Sequence, residues 1–307
     1  MQEFQAQVIA AFGRHLTVRD DDGRTHAARP FGRRLTIVCG DRVLCKTDSR
    51  HDEVHVVQIL PRRSVLSRST LRGSGEPIVA NLDLVVAVMA ITPAPDPFII
   101  DRYLCAASSA GLRALVLVNK VDLLDPAASS DELDQLLRAY EAAGYDTVRC
   151  SSRDQSSQQA LTAKLQGVTS VFVGQSGVGK SSLIAMLVPQ TEISVGTLDR
   201  EQEGRHTTTA SRLYDLPGGG ALIDSPGVRD YAPAVADLEP HSLGFPEIDR
   251  LAVGCRFLDC QHIREPHCAV QAAVGTAALD ARRYESYRRL RRLQNELLEA
   301  QGPARRQ

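Results

Sequence analysis

Three short stretches of the chain have the residue types and spacing of nucleotide-binding loops. Gly174-Gln175-Ser176-Gly177-Val178-Gly179-Lys180-Ser181-Ser182 fits GxxxxGKS, follows the apolar run Val171–Val173 and precedes Leu183–Leu187, the strand–loop–helix setting this motif requires. Its glycines let backbone N–H groups close around phosphate oxygens. Lys180 would reach the β- and γ-phosphates, for binding and for catalysis, and the Ser181 hydroxyl would ligate Mg²⁺. Asn119-Lys120-Val121-Asp122 would read the base. Asp122 can accept from N1–H and the 2-amino group of guanine, a donor pair adenine lacks. Asn119 would hold the loop and the O6/N7 edge, and Lys120 would pack along the base and stiffen the phosphate loop. Ser151, with Ser152 just after the run Thr147–Cys150, is the candidate auxiliary base-side loop. Asp224-Ser225-Pro226-Gly227 completes the set: Asp224 would face the Mg²⁺ shell through water and the Gly227 N–H would sense the γ-phosphate. The polar segment 204–209 suits a switch whose threonine reaches Mg²⁺ only when the γ-phosphate is present. Thr208 stands for Thr207, Thr208 and Thr209, among which the sequence does not choose.

The order of these motifs matters. In an ordinary GTPase the base-reading NKxD comes last, whereas here it comes first, so the chain reads as a circularly permuted GTPase. The elements that must position the motifs are legible as continuous apolar runs: 84–91, 114–118, 147–150, 170–173, 211–216 and 221–223. Such runs, separated by helical stretches, mark a parallel sheet buried on both faces. The permutation cuts between the usual third and fourth strands, and the three motifs fall at strand C-termini, where open α/β sheets bind ligands.

Before this core, segments 7–11, 15–19, 35–39, 42–45 and 53–60 alternate and are separated by turn signals, about five strands in all, which suits an OB-type barrel, with an SH3-like barrel as the competing topology. Residues 61–77 are basic and then Gly/Pro-rich, and read as a linker. After the core, Cys255, Cys260, His262 and Cys268 have the composition of a closed Cys₃His zinc site, structural rather than catalytic. His267 rivals His262, but its adjacency to Cys268 makes joint ligation awkward. An amphipathic helix is predicted from roughly Thr276 to Ala300, with Tyr284, Tyr287, Leu290, Leu293 and Leu297 on one face and Arg288, Arg289, Arg291 and Arg292 around the rest. The expected architecture is therefore multidomain α/β: an N-terminal OB-type β-barrel for RNA over 1–72, a central circularly permuted P-loop GTPase domain over 76–234, and a C-terminal zinc-binding module with its helix over 235–307.

Composition bounds the rest. A chain of 307 residues with 43% hydrophobic and 24% charged residues, and a mean hydropathy of −0.17, has room for two or three cores and no run near the roughly 18 apolar residues a spanning helix needs. No basic stretch precedes an apolar one at the N-terminus, so a cytoplasmic protein with no membrane role is expected. The net charge of −1 conceals basic ends: 13 basic against 8 acidic residues over 1–75, and 8 against 4 over 279–307. Basic ends around an acidic centre suggest that the ends touch a polyanion. Cys39, Cys45, Cys105 and Cys150 sit in apolar surroundings and read as small buried hydrophobes.

With these residues in place, the whole chain resembles the RsgA (YjeQ) family of bacterial small-ribosomal-subunit-dependent GTPases. The resemblance rests on the barrel, the permuted NKVD, GQSGVGKSS, GRHTTT and DSPG motifs, and the Cys255, Cys260, His262, Cys268 pattern. It implies GTP and GDP as ligands, Mg²⁺ with GTP, one structural zinc, and binding to a late precursor of the small subunit and its rRNA. Hydrolysis is expected to be stimulated by that particle, and the protein is expected to act as a monomer. A GTP-gated RNA-binding module with negligible hydrolysis is the alternative. One departure stands out. Many members carry a histidine shortly after DSPG, whereas here none occurs before His241, and Val228 cannot orient water. His206 is the candidate for that catalytic role.

Overall fold

The computed structural model describes residues 3–32, 35–48, 53–69, 75–124, 131–188, 210–229 and 231–300. The N-terminal barrel is built from β1 (Glu3–Phe12), β2 (His15–Asp20), β3 (Thr25–Pro30), β4 (Arg42–Asp48) and β5 (Glu53–Ile59). Their order is β1-β2-β3-β5-β4, and β4 returns to pair with β1, which closes the cylinder. Ala6, Val8, Leu16, Val18, Ala28, Val43, Cys45 and Val56 fill its interior. Two expectations fail here. Thr25–Pro30 is a strand, and 35–39 is not. The ladder position goes to β3, which pairs with both β2 and β5, while the fully buried Asp41 accepts from Val38 N–H (2.9 Å) and Arg62 Nε (2.7 Å), folding 35–41 over the barrel as a turn.

The expected linker is instead a hairpin, β6 (Val65–Ser69) with β7 (Gly75–Ala80). Gly and Ser mark hairpin turns as readily as linkers, but Leu66 and Val79 bury in the large core, which a linker would not do.

All six expected core strands form: β8 (Leu84–Ala90), β9 (Arg113–Asn119), β10 (Asp146–Arg149), β11 (Thr169–Gly174), β12 (Ser211–Asp215) and β13 (Ala221–Asp224). Their order is β10-β9-β8-β11-β13-β12, parallel except for β12, which runs antiparallel beside β13. Every residue of β8 is buried. Val85, Ala87 and Met89 face one layer, with helix α1 (Pro97–Ser109) and helix α2 (Asp131–Ala143). Leu84, Val86, Val88 and Ala90 face the other, with α3 (Gln155–Leu165) and α4 (Lys180–Leu187). Two covered faces are why these strands read as unbroken apolar runs. β12 also pairs with β1 (Ala10↔Arg212, Ala11↔Ser211), so barrel and core share one sheet.

The C-terminal region packs α5 (Pro246–Ala252) and α6 (Ala281–Ala300) on the α1/α2 layer. Helix α6 starts later than expected because Asp280 accepts from the Arg283 N–H (3.0 Å) and caps it. Its basic face is also more internal than the sequence suggests. Arg291, expected on the outer face, is buried and donates to Pro240 O, His241 O and Gln294 Oε1. Arg283 is fully buried, donating to Glu247 and Asp101 with its guanidinium 4.5 Å from the Phe245 ring. Burial alone would lower its pKa, but Asp101 and Glu247 raise it well above the ordinary arginine value. Burial lifts the thiols of Cys39, Cys105 and Cys150, and pushes that of Cys45 up to about 11, in keeping with inert core cysteines.

Candidate nucleotide site and metal centre

Pairings Val88↔Gly174 and Ala90↔Asn119 bring the ends of β8, β9 and β11 to one edge of the sheet, beside the end of β13 at Asp224. The phosphate loop leaves β11 through Gly174, where an added methyl would lie 2.3 Å from Val88 O. It then turns through left-handed Gly177 (φ 81°) and Gly179 (φ 94°), conformations that glycine adopts without strain. Val178 between them is buried in the α3/α4 core, while Ser176 and Gly177 are exposed. The first bond into α4 runs from Leu183 N–H to Gly179 O (3.0 Å), leaving earlier loop N–H groups pointing out of the helix end, with Ser181 and Ser182 exposed in its first turn. Lys180 folds back, its Nζ donating to Gly174 O (2.6 Å) and Gln175 O (2.8 Å).

The base-side residues are tied to this loop. Asn119 is buried, and its Nδ2 donates to Val178 O (2.9 Å) while Oδ1 is buried with no hydrogen-bond partner. Lys120 is left-handed (φ 59°), and its Nζ donates to Gly177 O (2.6 Å) and Thr92 O (2.7 Å). Ser151 Oγ donates to Asp122 Oδ1 (2.7 Å), and Arg153 Nη1 reaches Asp122 Oδ2 at 3.4 Å. The structure thus brings Asn119, Lys120, Asp122, Ser151 and the 174–182 loop together. Thr92 and Arg153 were not singled out from sequence. Arg153 adjoins Ser151-Ser152 and could have been, whereas nothing local marks Thr92.

On the other side, Asp224 ends β13 and Gly227 lies in the short helical turn Pro226–Arg229. Ser225 is buried against Ser211, their hydroxyls 2.8 Å apart. Val228 is buried in the core and supplies no polar group. His206 and Thr208 lie outside the described residues.

Far along the chain, Cys255, Cys260, His262 and Cys268 converge, with ligand atoms within 4.8 Å of one another. Cys255 Sγ lies 3.7 Å from Cys268 Sγ, and His262 Nδ1 lies 3.5 Å from each of these sulfurs. Zinc–sulfur bonds of about 2.3 Å and a zinc–nitrogen bond of about 2.0–2.1 Å at tetrahedral angles imply separations of about 3.8 and 3.5 Å, so the donor set fits zinc. His267 is exposed and outside the cluster. Glu265 braces the loop, accepting from Gln261, Ile263 and Arg264 N–H at 2.8–2.9 Å. Burial would raise its pKa, but these donors outweigh it and hold the carboxyl at about 2. Tyr284 and Tyr287 hydroxyls donate to His262 O (2.7 Å) and Gln261 O (2.8 Å), fixing the loop to α6.

The profile of the RsgA GTPase family matches residues 59–233, more than half the chain. The chain belongs to the RsgA GTPase family. It is 42% identical over 291 residues to the small ribosomal subunit biogenesis GTPase RsgA of Azotobacter vinelandii, covering 92% of this chain and 83% of that relative. Identity to the protein of the same name from Chromohalobacter salexigens is 43% over 291 residues, covering 92% and 84%. Among solved structures, YjeQ from Thermotoga maritima superimposes with a TM-score of 0.73 at 27% identity, covering 97% of this chain and 99% of that one. YloQ, described as a circularly permuted GTPase, gives 0.74 at 26%, covering 96% of each. The fold as a whole, with its permuted strand order, is thus shared with YjeQ and YloQ over nearly the full length of the chain. No helix among the described residues is long and apolar enough to cross a membrane.

Proposed function

We propose that this chain hydrolyses GTP to GDP and phosphate as a nucleotide-controlled factor in late maturation of the small ribosomal subunit, in the compartment where that subunit is made. The observation that supports it most is the convergence of base-side and phosphate-side loops, far apart in sequence, on one sheet edge. Asp122 reads guanine, held by Ser151, while Asn119 and Lys120 keep the base side in register with the phosphate loop. The N–H groups of 175–182 and the Lys180 ammonium, exchanging its carbonyl acceptors for phosphate oxygens, orient the γ-phosphate. Mg²⁺ would supply charge neutralisation, held by the Ser181 hydroxyl and through water by Asp224. The Gly227 N–H meets the γ-phosphate. His206 is retained for the water and Thr208 for the switch. Zinc would be held by Cys255, Cys260, His262 and Cys268, leaving no open position, and would fold the module rather than react. The three units are assigned to 1–72, 76–234 and 235–307, with the β6–β7 hairpin spanning the first boundary and packing on the large core.

The RNA-facing surface is assigned to the barrel and to the exposed arginines of α6: Arg282 and Arg283 are taken up by Asp101 and Glu247, whereas Arg288 and Arg289 share the single carboxylate of Glu285 at the surface. A GTPase titration with purified small subunits at two salt concentrations tests this. Each neutralised phosphate adds a log–log slope of roughly −0.7 to −0.9 to subunit affinity, so stimulation at subsaturating subunit falls with salt while intrinsic hydrolysis holds. Exposed Arg24 and Arg29 changed to Glu is the better surface variant, because deleting the barrel would strip β12 of its β1 partner. Single-turnover assays that release no phosphate would turn the reading to a GTP-gated RNA-binding module.

A further inference from the structure

The β6–β7 hairpin touches the proposed γ-phosphate sensor directly. A methyl built on Gly227 would lie 2.3 Å from Ile78 Cγ2 and 3.6 Å from its Cβ, so the β-branched methyl of Ile78 occupies the space a side chain at 227 would take. Ile78 is only partly buried at the rim of the large core. The hairpin carrying it is fixed on two sides. Toward the barrel, Ala80 N–H donates to Cys39 O (3.1 Å) and Asn81 Nδ2 to Gly40 O (2.8 Å). Toward the segment after Gly227, Ser69 N–H donates to Ala232 O (3.0 Å) and Tyr231 Oη to Ser67 O (3.3 Å).

We infer that Ile78 is a positioning residue for hydrolysis: its Cγ2 methyl is the backstop that keeps the Gly227 peptide within reach of the γ-phosphate. This rests on the reading of Gly227 given above. Without the methyl, the Gly227 backbone has room to relax, and only a nucleotide with a γ-phosphate registers the change. Displacement of a positioning group by about 1 Å can reduce a rate by roughly 10²-fold. The anchoring of the hairpin on the barrel side gives the barrel a route to the site through the same residue, beside the route through Ala11↔Ser211 and the Ser211–Ser225 hydroxyls.

The contacting atom selects the variants. Ile78→Val keeps the β-methyl, Ile78→Leu keeps the volume but moves the branch outward, and Ile78→Ala removes both. Full-length proteins are compared by single-turnover GTP hydrolysis and by equilibrium affinity for GDP and for a non-hydrolysable GTP analogue. Ile78→Val is expected within about twofold of native, whereas Leu and Ala lose about tenfold or more in rate and in the analogue-to-GDP affinity ratio, with GDP affinity kept. Native rates and ratios in Leu and Ala overturn the inference, as does a parallel loss of GDP affinity, which makes Ile78 a general packing residue. Asp224→Asn is measured alongside. Its loss of hydrolysis keeps the site reading intact when Ile78 fails, and a native rate there overturns the site reading and the role of Ile78 with it.

Discussion

Cations bonded to internal acceptors organise both the nucleotide edge and the C-terminal region, and their partners differ. At the nucleotide edge, Lys180 and Lys120 donate to main-chain carbonyl oxygens of Gly174, Gln175, Gly177 and Thr92. In the C-terminal region, Arg283 donates to the carboxylates of Asp101 and Glu247. A carbonyl offers a dipole that a phosphate displaces, whereas a buried carboxylate pair offers two full charges that nothing arriving from solvent can replace. The Lys180 arrangement is set for exchange and the Arg283 arrangement for permanence, while Lys120 keeps its carbonyls and ties the two loops together. The Cys/His cluster belongs with the second: its four donors are spent on one another or on a metal, and its loop is fixed to α6 by Tyr284 and Tyr287.

The contrast is broken most forcefully by removing metal. Structural zinc in small modules contributes on the order of 10 kcal/mol of folding free energy, so Cys260→Ala is expected to lose zinc and to raise hydrogen exchange over 255–300. Nucleotide affinity should stay near native. Zinc absent from native protein purified without chelators removes the assignment, and collapse of GTP binding in the variant shows that the two regions do not separate.

Next comes Arg283→Ala, which strands the buried Glu247 carboxylate and leaves Asp101 to Arg282, and should destabilise by about 3–5 kcal/mol, read as a shift in the urea midpoint followed by circular dichroism. Changing Arg283, Asp101 and Glu247 together to Met, Leu and Leu should recover most of that loss, since apolar replacement of a whole buried cluster is often neutral. By contrast, Lys180→Ala should cost less stability than Arg283→Ala, about 1–2 kcal/mol for two carbonyls left unpaired, yet slow single-turnover hydrolysis by about 10²–10³-fold. If Lys180→Ala proves the more destabilising of the two, the distinction between exchangeable and permanent partners is wrong.

Legibility in the sequence followed the same division. The six core strands could be read because residues such as 84–90 are apolar at every position, and so short a run, rich in valine, suits a doubly covered strand better than a helix. The nucleotide loops and the Cys/His cluster were legible because their chemistry demands particular residues at short spacing. Thr25–Pro30 was missed because His26, Ala27, Ala28 and Pro30 have little strand preference, and two neighbouring strands hold them in place. The β6–β7 pairing was missed because its apolar residues are few and the Gly/Ser/Pro composition around it reads as a linker. Arg291 looked like solvent-facing charge because its main-chain acceptors, Pro240 O and His241 O, lie 51 and 50 residues away in sequence, where no local pattern points.

The finest test concerns the base-side carboxylate, which stands between the two classes. Asp122 is bound by a neutral hydroxyl, Ser151 Oγ at 2.7 Å, and approached by a cation, Arg153 Nη1 at 3.4 Å. Ser151 is buried and also accepts from the Arg153 N–H (3.1 Å), so its hydroxyl is held in one orientation, whereas the Arg153 side chain is 80% exposed. A hydrogen bond to a charged group is worth about 1.5–3 kcal/mol, and partial exposure of Asp122 favours the lower end, so Ser151→Ala should weaken GDP binding about tenfold. Arg153→Ala should change it by less than about twofold, because an exposed ion pair is screened by solvent. Asp122→Asn supplies the reference: GTP affinity should fall and preference shift toward xanthine nucleotides, whose 2-oxo group accepts from the new amide. Equilibrium titrations with guanine and xanthine nucleotides rank the three. If Arg153→Ala costs more affinity than Ser151→Ala, the cation rather than the hydroxyl holds the carboxylate, and the base side joins the class of charge-locked sites instead of the exchangeable one.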